Sequence, residues 1–412
     1  MSGWLFRFLH AGSFRLDCLW EGLGELPEAL IERLIDAPHS AALRVFETAL
    51  AEQVDCLVLT GDLVDLSQPS PRSLALLLEQ FERLKQAGIA VYWAGGRLDP
   101  PGEWPSAALL PDNVTYFPSA QAREVGHLRA GRPVARVVGQ SWHGTQQVPL
   151  RVAAEAAEGL PTLAVSYGQA DPQRLLSQGA DYWALGGRYQ RHTAGSDRRV
   201  LHDPGSPQGR SPGEEGPHGC TLVQLASDRT WHTRPIPTDG VRWQTLRLTI
   251  PPEASLSSVR EWLAEQAQQV RSEAAPRPVL ATWRLCGGAH LASPVLRADL
   301  AAEWQQWLRQ ELAQQPGQPL LWTCAVELEP LPLPEAWLEE DSMLGDFLRA
   351  SRQEQERAQW DWDWADRAGG EAAGAAEVPW GRLTPDEYGQ VLAVATASGA
   401  QLLGAGQPQR AP

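Results

Sequence analysis

Asp62 is the side chain in this sequence best placed to do chemistry, a carboxylate in the segment Thr60 to Asp65 that directly follows the apolar run Cys56 to Leu59. Other apolar runs end in a similar way. Leu5 to Leu9 leads into His10 to Asp17, Ala90 to Ala94 into Gly95 to Asp99, and Tyr182 to Leu185 into Gly186 to Tyr189. Where such runs are strands of one α/β core, Ser13, Asp62 and Gly96 fall beyond their carboxyl ends, the place where open α/β sheets bind ligands. A carboxylate there ligates a divalent cation if further Asp, His or Asn side chains join it; otherwise, when buried, it needs a guanidinium or hydrogen-bond donors.

The elements that must position these residues follow from periodicity. Ala41 to Gln53 and Ser73 to Ala87 have helical spacing, and between them and the strand-like runs the order is β-α-β-α-β, which implies a layered α/β core. The block Val114 to Val165 adds short β-like runs, Val134 to Val138 and Thr162 to Val165. Leu201 to Gly209 forms a Pro/Gly-rich loop, Gly213 to Gly219 a hairpin turn, and Cys220 to Leu225 a strand.

With 412 residues and 43% hydrophobic content, the chain is long enough for two or three domains around a large core. A net charge of −15 argues against holding nucleic acid by the overall field, although a local basic patch could still do so. Trp4 to Leu9 is too short and too interrupted by Arg7 for a signal-peptide core, and no later run reaches a membrane span, so a cytoplasmic protein is expected. Cys18, Cys56, Cys220, Cys286 and Cys324 have no pairwise spacing, which predicts neither a disulfide framework nor structural zinc, with Cys56 a buried thiol.

Taken in order, His10 to Asp17, Val54 to Asp65, Ala87 to Asp99, Leu110 to Phe117, Val138 to Trp142, Asp181 to Gly186 and Asp203 to Cys220 resemble the calcineurin-like metallophosphoesterases of the SbcD and YhaO type. Val241 to about Leu348 resembles the YhaO-type C-terminal region. The resemblance implies a β-sandwich flanked by helices with a small α/β capping domain, and domains at 1–240, 241–335, a helical segment at 336–366, and a linker with a terminal helix at 367–412. It also implies two Mn2+ or similar ions held by Asp, His and Asn at strand ends. Here those positions are Ser13 and Arg15, Gly96 and Arg97, Tyr167, and Gly187 and Tyr189, so that Asp62 alone remains as a remnant ligand. Arginine is a permanent cation and glycine offers no donor, so no metal cofactor is expected at this set. His10, His143, His192 and His202 lie near the motifs without a metal-ligand spacing and are read as satisfied or solvated.

Ser13, Arg15, Asp62, Arg97 and Arg188 are expected to converge on one pocket. Three readings stay open: a pocket filled by an ion pair of Asp62 with Arg15 or Arg97, a site in which Arg15, Arg97 and Arg188 grip a phosphate or nucleic-acid end without cutting it, and a rebuilt active site.

Downstream, Ser255 to Arg271 and Leu300 to Gln314 predict helices, and Val279 to Leu285 and Leu320 to Leu328 predict strands. By resemblance, Trp337 to Arg357 would dock a coiled-coil ATPase of the SbcC or YhaN type, although its amphipathic pattern suits packing on its own domain equally. Trp360 to Trp364 alternates Trp and Asp and suits a partner anchor or packing on the body, Gly369 to Ala376 a linker, and Pro385 to Ala397 a helix capped by Thr384. A homodimer is left open. Two function classes follow: a catalytically inactive member of a DNA-repair exonuclease family that binds DNA ends or the ATPase, and an active metal-dependent phosphoesterase. A scaffold without a nucleic-acid role is a third.

Overall fold

The computed structural model describes residues 4–153, 159–251, 254–287, 294–313, 318–329, 335–357 and 385–403. The chain groups into two units, Met1–Gln244 with Val270–Ala281 and Gln314–Cys324, and Thr245–Gln269 with Thr282–Ala313 and Ala325–Pro412.

Two six-stranded sheets make the body of the first unit. One contains β1 (Trp4–Ala11), β2 (Cys56–Thr60), β3 (Ala90–Ala94), β4 (Val114–Phe117), β11 (Gly219–Ala226) and β12 (Trp231–Pro237), in the order β12-β11-β1-β2-β3-β4. The other contains β5 (Arg123–Arg129), β6 (Arg132–Gln140), β7 (Thr162–Tyr167), β8 (Tyr182–Gly186), β9 (His192–Gly195) and β10 (Val200–Asp203), in the order β5-β6-β7-β8-β10-β9. Strands β1 to β4 run parallel, as do β6, β7, β8 and β10, so each set directs its carboxyl ends to one edge of its sheet.

Alternation along each strand explains why these segments read as continuous apolar runs. In β1 and β2, Phe6, Phe8, Cys56 and Val58 face the second sheet and pack with Val137, Leu163, Val165 and Tyr182, whereas Leu9, Leu57 and Leu59 face the helices. The helical layer is α1 (Glu28–Ala51) and α2 (Pro71–Gln86), whose Val45, Phe46, Leu77, Phe81 and Leu84 close the first core. A further cluster, with Val138, Ala164, Trp183 and Leu175, covers the outer face of the second sheet beside α3 (Pro172–Leu176).

The helix read from the sequence as Ala41 to Gln53 begins at Glu28. Pro38 lies inside it and masks the pattern, since a proline normally ends a helix by removing a backbone donor. The helix continues because Leu30, Leu34, Ala37, Ala41 and Val45 form one buried stripe. Strands β5, β9, β10 and β12 are not legible as apolar runs, because β5 and β12 are exposed along most of their length and β9 and β10 have only four residues each.

A three-stranded sheet follows, in the order β13 (Arg242–Ile250), β14 (Val279–Gly287) and β15 (Leu321–Glu329), together with α4 (Leu256–Ala274) and α5 (Pro294–Glu311). In the second unit, α6 (Met343–Arg357) packs on α7 (Pro385–Leu402), with the Phe347 ring against Gly399 and with Leu348 and Ala400 buried. The apolar stripe of Trp337 to Arg357 is thus used within its own unit. Trp360 to Trp364, Gly369 to Ala376 and Thr384 lie outside the described residues. Among the described residues no helix is long and apolar enough to cross a membrane. All five cysteines are free and Cys56 is buried.

Candidate functional site

Each motif forms a tight turn directly after its strand. Ser13, Arg15 and Asp62 all take positive φ (51°, 50° and 53°), and backbone bonds from Ser13 to Gly61 and from Arg15 to Asp62, both 2.8 Å, hold the first two turns together. The third turn is tied to the second by Asp99, a fully buried carboxylate that accepts from the backbone N–H of Asp62 (2.7 Å), Leu63 (2.8 Å) and Gly96 (2.6 Å). Burial pushes the Asp99 carboxyl well above the usual range and the nearby Asp62 pushes the same way, while these three donors oppose them. Asp99 was visible in the sequence only as the end of a motif.

Asp62 is 1% exposed. Its Oδ1 accepts from the Leu98 backbone N–H at 2.9 Å and its Oδ2 from the Tyr167 hydroxyl at 2.5 Å. Burial raises its pKa, and the Tyr167 and Leu98 hydrogen bonds and the Arg97 charge pull it back. Tyr167 closes over the glycines: a Cβ at Gly96 would fall 2.7 Å from the Tyr167 ring and from the Asp62 backbone nitrogen, and one at Gly61 would fall 2.6 Å from the same ring. The replacements are therefore mutually dependent. The ring fits only because Gly96 and Gly61 carry no side chains, and its hydroxyl supplies the donor that a buried Asp62 needs.

The ion pair of Asp62 with Arg15, one of the alternatives left open, is not formed. Arg15 is buried and its Nη2 pairs with Glu214 Oε2 at 2.5 Å, with the Gln208 carbonyl at 3.4 Å and the Tyr189 ring centroid 3.8 Å from the guanidinium carbon. Glu214 belongs to the stretch read as a hairpin turn and gave no sequence signal; a carboxylate there is explained by the cation it neutralises. Ser206, Ser211 and His218 complete its surroundings. Arg15 is accordingly removed from the phosphate-binding candidates.

Arg97 is exposed, and its charge and its backbone N–H both lower the Asp62 pKa. Arg188 is exposed as well; its backbone N–H donates to Asp203 at 3.1 Å, its carbonyl accepts from the Ser13 hydroxyl at 3.4 Å, and its charge lowers the Asp203 pKa. Asp203 also accepts from Gly205 N–H at 3.0 Å, and burial lifts its carboxyl to about 7. It lines a cavity of about 10 Å³ with Arg188 and His192, room for one water. Gly187, at φ 108°, lets the chain turn beside Tyr167.

The four histidines do not form a metal site. His10 and His202 are buried between the sheets, with ring centroids 5.5 Å apart. Thr60 and Tyr182 satisfy His10, and Thr193 and Thr221 satisfy His202. Burial holds both below the usual range, His202 at about 3, so both are neutral. His143 is exposed and His192 half-buried. Among the described residues no group of three His, Cys, Asp or Glu could hold a metal ion. A two-metal centre thus does not fit the donors present: Asp62 is hydrogen-bonded to a tyrosine, Asp99 is occupied by three backbone N–H groups, and the positions around them offer glycine, arginine and a phenol.

No family model matches this chain. It is 28% identical over 285 residues to YhaO of Bacillus subtilis (strain 168), an uncharacterized metallophosphoesterase, covering 65% of this chain and 69% of that protein. The chain is similar to a metallophosphoesterase. Among solved structures, TT1561 of Thermus thermophilus aligns with 56% of this chain and 98% of its own at 13% identity and a TM-score of 0.32. A dimetal phosphatase from Danio rerio aligns with 54% and 94% at 12% identity and a TM-score of 0.35.

Proposed function

We propose that this chain is a non-catalytic metallophosphoesterase-type protein that binds a phosphate group at its strand-end site and does not hydrolyse it. The observation that carries the reading is the Tyr167 hydroxyl on Asp62, with the ring filling the space that Gly61 and Gly96 leave open. Hydrolysis by this class of site needs two cations to activate water and to neutralise the developing charge, and the residues present supply donors for neither. What remains is cationic: Arg97 and Arg188 are exposed, and neither has an ion-pair partner among the described residues. Guanidinium forks match phosphate oxygens in geometry and charge. The resemblance to the SbcD and YhaO type extends the proposal to a DNA end as the source of that phosphate, and to a coiled-coil ATPase of the SbcC or YhaN type as a partner.

The test is metal content by elemental mass spectrometry after incubation with excess manganese, beside Asp62→Ala and with hydrolysis of a phosphodiester followed in parallel. Wild type and variant should carry equal, substoichiometric manganese and show equal background hydrolysis. Stoichiometric manganese with turnover, both lost in Asp62→Ala, would establish an active enzyme with a rebuilt site and overturn the proposal.

A further inference from the structure

We infer that the exposed face of α7 is an interaction surface whose occupant is a second copy of this chain, paired antiparallel through the stripe Val391, Ala395, Ser398 and Leu402. The inference is independent of the strand-end site and of what that site holds.

Helix α7 carries no charged side chain from Tyr388 to Leu402. Its neighbour α6 shows what a solvated helix face needs, with Asp346, Arg349, Arg352 and Glu354 all exposed. Only one side of α7 is used by α6: the Phe347 ring packs on Gly399, and Ala400 is buried. Away from that side, Val391 is 52% and Leu402 89% exposed, Ala395 is exposed and Ser398 half-buried. These four positions follow one another at spacings of four, three and four, the repeat of a seam between two helices. A helix with apolar residues on both sides and no charge between them is built to be buried.

The stripe itself names the occupant. Along it the side chains run large, small, small, large, and about its midpoint Val391 mirrors Leu402 while Ala395 mirrors Ser398. Two antiparallel copies therefore set Val391 of each against Leu402 of the other, with the small pair at the crossing, where the backbones come closest. A face that is its own complement is what a two-fold interface requires. Charge points the same way. Two chains of net charge −15 repel each other, and a run without charge brings no like charges into the contact and no ion to desolvate. It also offers no charged positions beside the seam, the device by which paired helices select a different partner. The seam is short, so the dimer is a weak one that forms at micromolar concentrations.

Sedimentation velocity of the full chain over a concentration series in the micromolar range tests this. Wild type should pass from monomer to dimer as concentration rises. Val391→Lys and Leu402→Glu, each at an exposed position, should weaken the dimer at least about 10-fold, because each sets a charge against an apolar side chain. Leu402→Ala, which adds no charge, should weaken it in the same direction, so that the test does not rest on a charged variant keeping its fold. The double variant Val391→Lys/Leu402→Glu should recover the dimer, since antiparallel pairing sets each new cation against the new anion of the other copy. In a parallel pair the new charges would meet their like, and nothing would be recovered. A wild type that stays monomeric throughout the series overturns the proposal. A dimer that survives all three single variants also overturns it, by placing the interface elsewhere, and a double variant no tighter than the singles excludes the antiparallel seam.

Discussion

Tyr167→Phe removes one oxygen from the site and leaves the ring that fills it. The lost bond is short, 2.5 Å, and its acceptor is a carboxylate that is 1% exposed. Hydrogen bonds to charged groups contribute about 1.5–3 kcal/mol, and an acceptor left buried without its donor keeps its desolvation cost. Asp62 would retain the Leu98 N–H at 2.9 Å and the backbone and charge of Arg97. The expected loss is about 2 kcal/mol while the carboxylate is ionised, falling towards about 1 kcal/mol as Asp62 takes a proton in acid and the bond becomes neutral. Because burial has already raised the Asp62 pKa, and removing the hydroxyl raises it further, the variant should begin to take up its proton at a higher pH than wild type. Urea denaturation followed by tryptophan fluorescence, at unchanged m-value, measures the difference. A cycle with Asp62→Asn isolates the pair. A loss below about 0.5 kcal/mol, the range of ordinary surface substitutions, or a coupling of zero would refute the claim that this hydroxyl stabilises Asp62.

Two further outcomes follow from buried charges elsewhere in the first unit. Asp203 titrates at about 7 when folded, against 3.8 for the unfolded group. Its contribution is therefore fully present below about pH 4 and is lost as pH rises to about 7, a change of at most about 4 kcal/mol. Asp203→Asn should lose that slope, so its stability relative to wild type should rise between pH 4 and 7 in denaturation series; parallel curves would show that the carboxyl titrates normally. Arg271 is buried and has no hydrogen-bond partner on any of its side-chain nitrogens among the described residues. Arg271→Met should raise the midpoint of thermal unfolding, since it replaces an uncompensated buried charge with an apolar chain of similar length, a gain of about 1–4 kcal/mol; a lower midpoint would mean that the guanidinium is stabilised in the folded protein.

The strand-end turns were legible because the chemistry of a parallel sheet writes itself into short ranges of sequence. Strands buried on both faces must be continuously apolar, as in Cys56 to Thr60, and the turn after each must hold residues that tolerate positive φ or lack a side chain. The residues that fill these turns, Gly96, Tyr167, Gly187 and Tyr189, were equally visible residue by residue. The start of α1 was not, because Pro38 interrupts a stripe whose first part, Leu30, Leu34 and Ala37, is sustained by packing with Val241, Trp243 and Leu280.

What the sequence could not decide was which side chain would meet which. Arg15 and Asp62 lie on adjacent turns and carry opposite charges, yet Arg15 pairs with Glu214, a residue 199 positions away, and Asp62 with Tyr167, 105 positions away. Attraction between charges depends on distance and on what else competes for each donor, and those distances are set by packing between two sheets. The sequence by itself determined that Ser13, Arg15, Asp62, Gly96, Arg97, Tyr167, Gly187 and Tyr189 stand in the segments that follow the apolar runs. Only the tertiary structure decided that a tyrosine closes the pocket, that one arginine is locked inside, and that two others face the solvent.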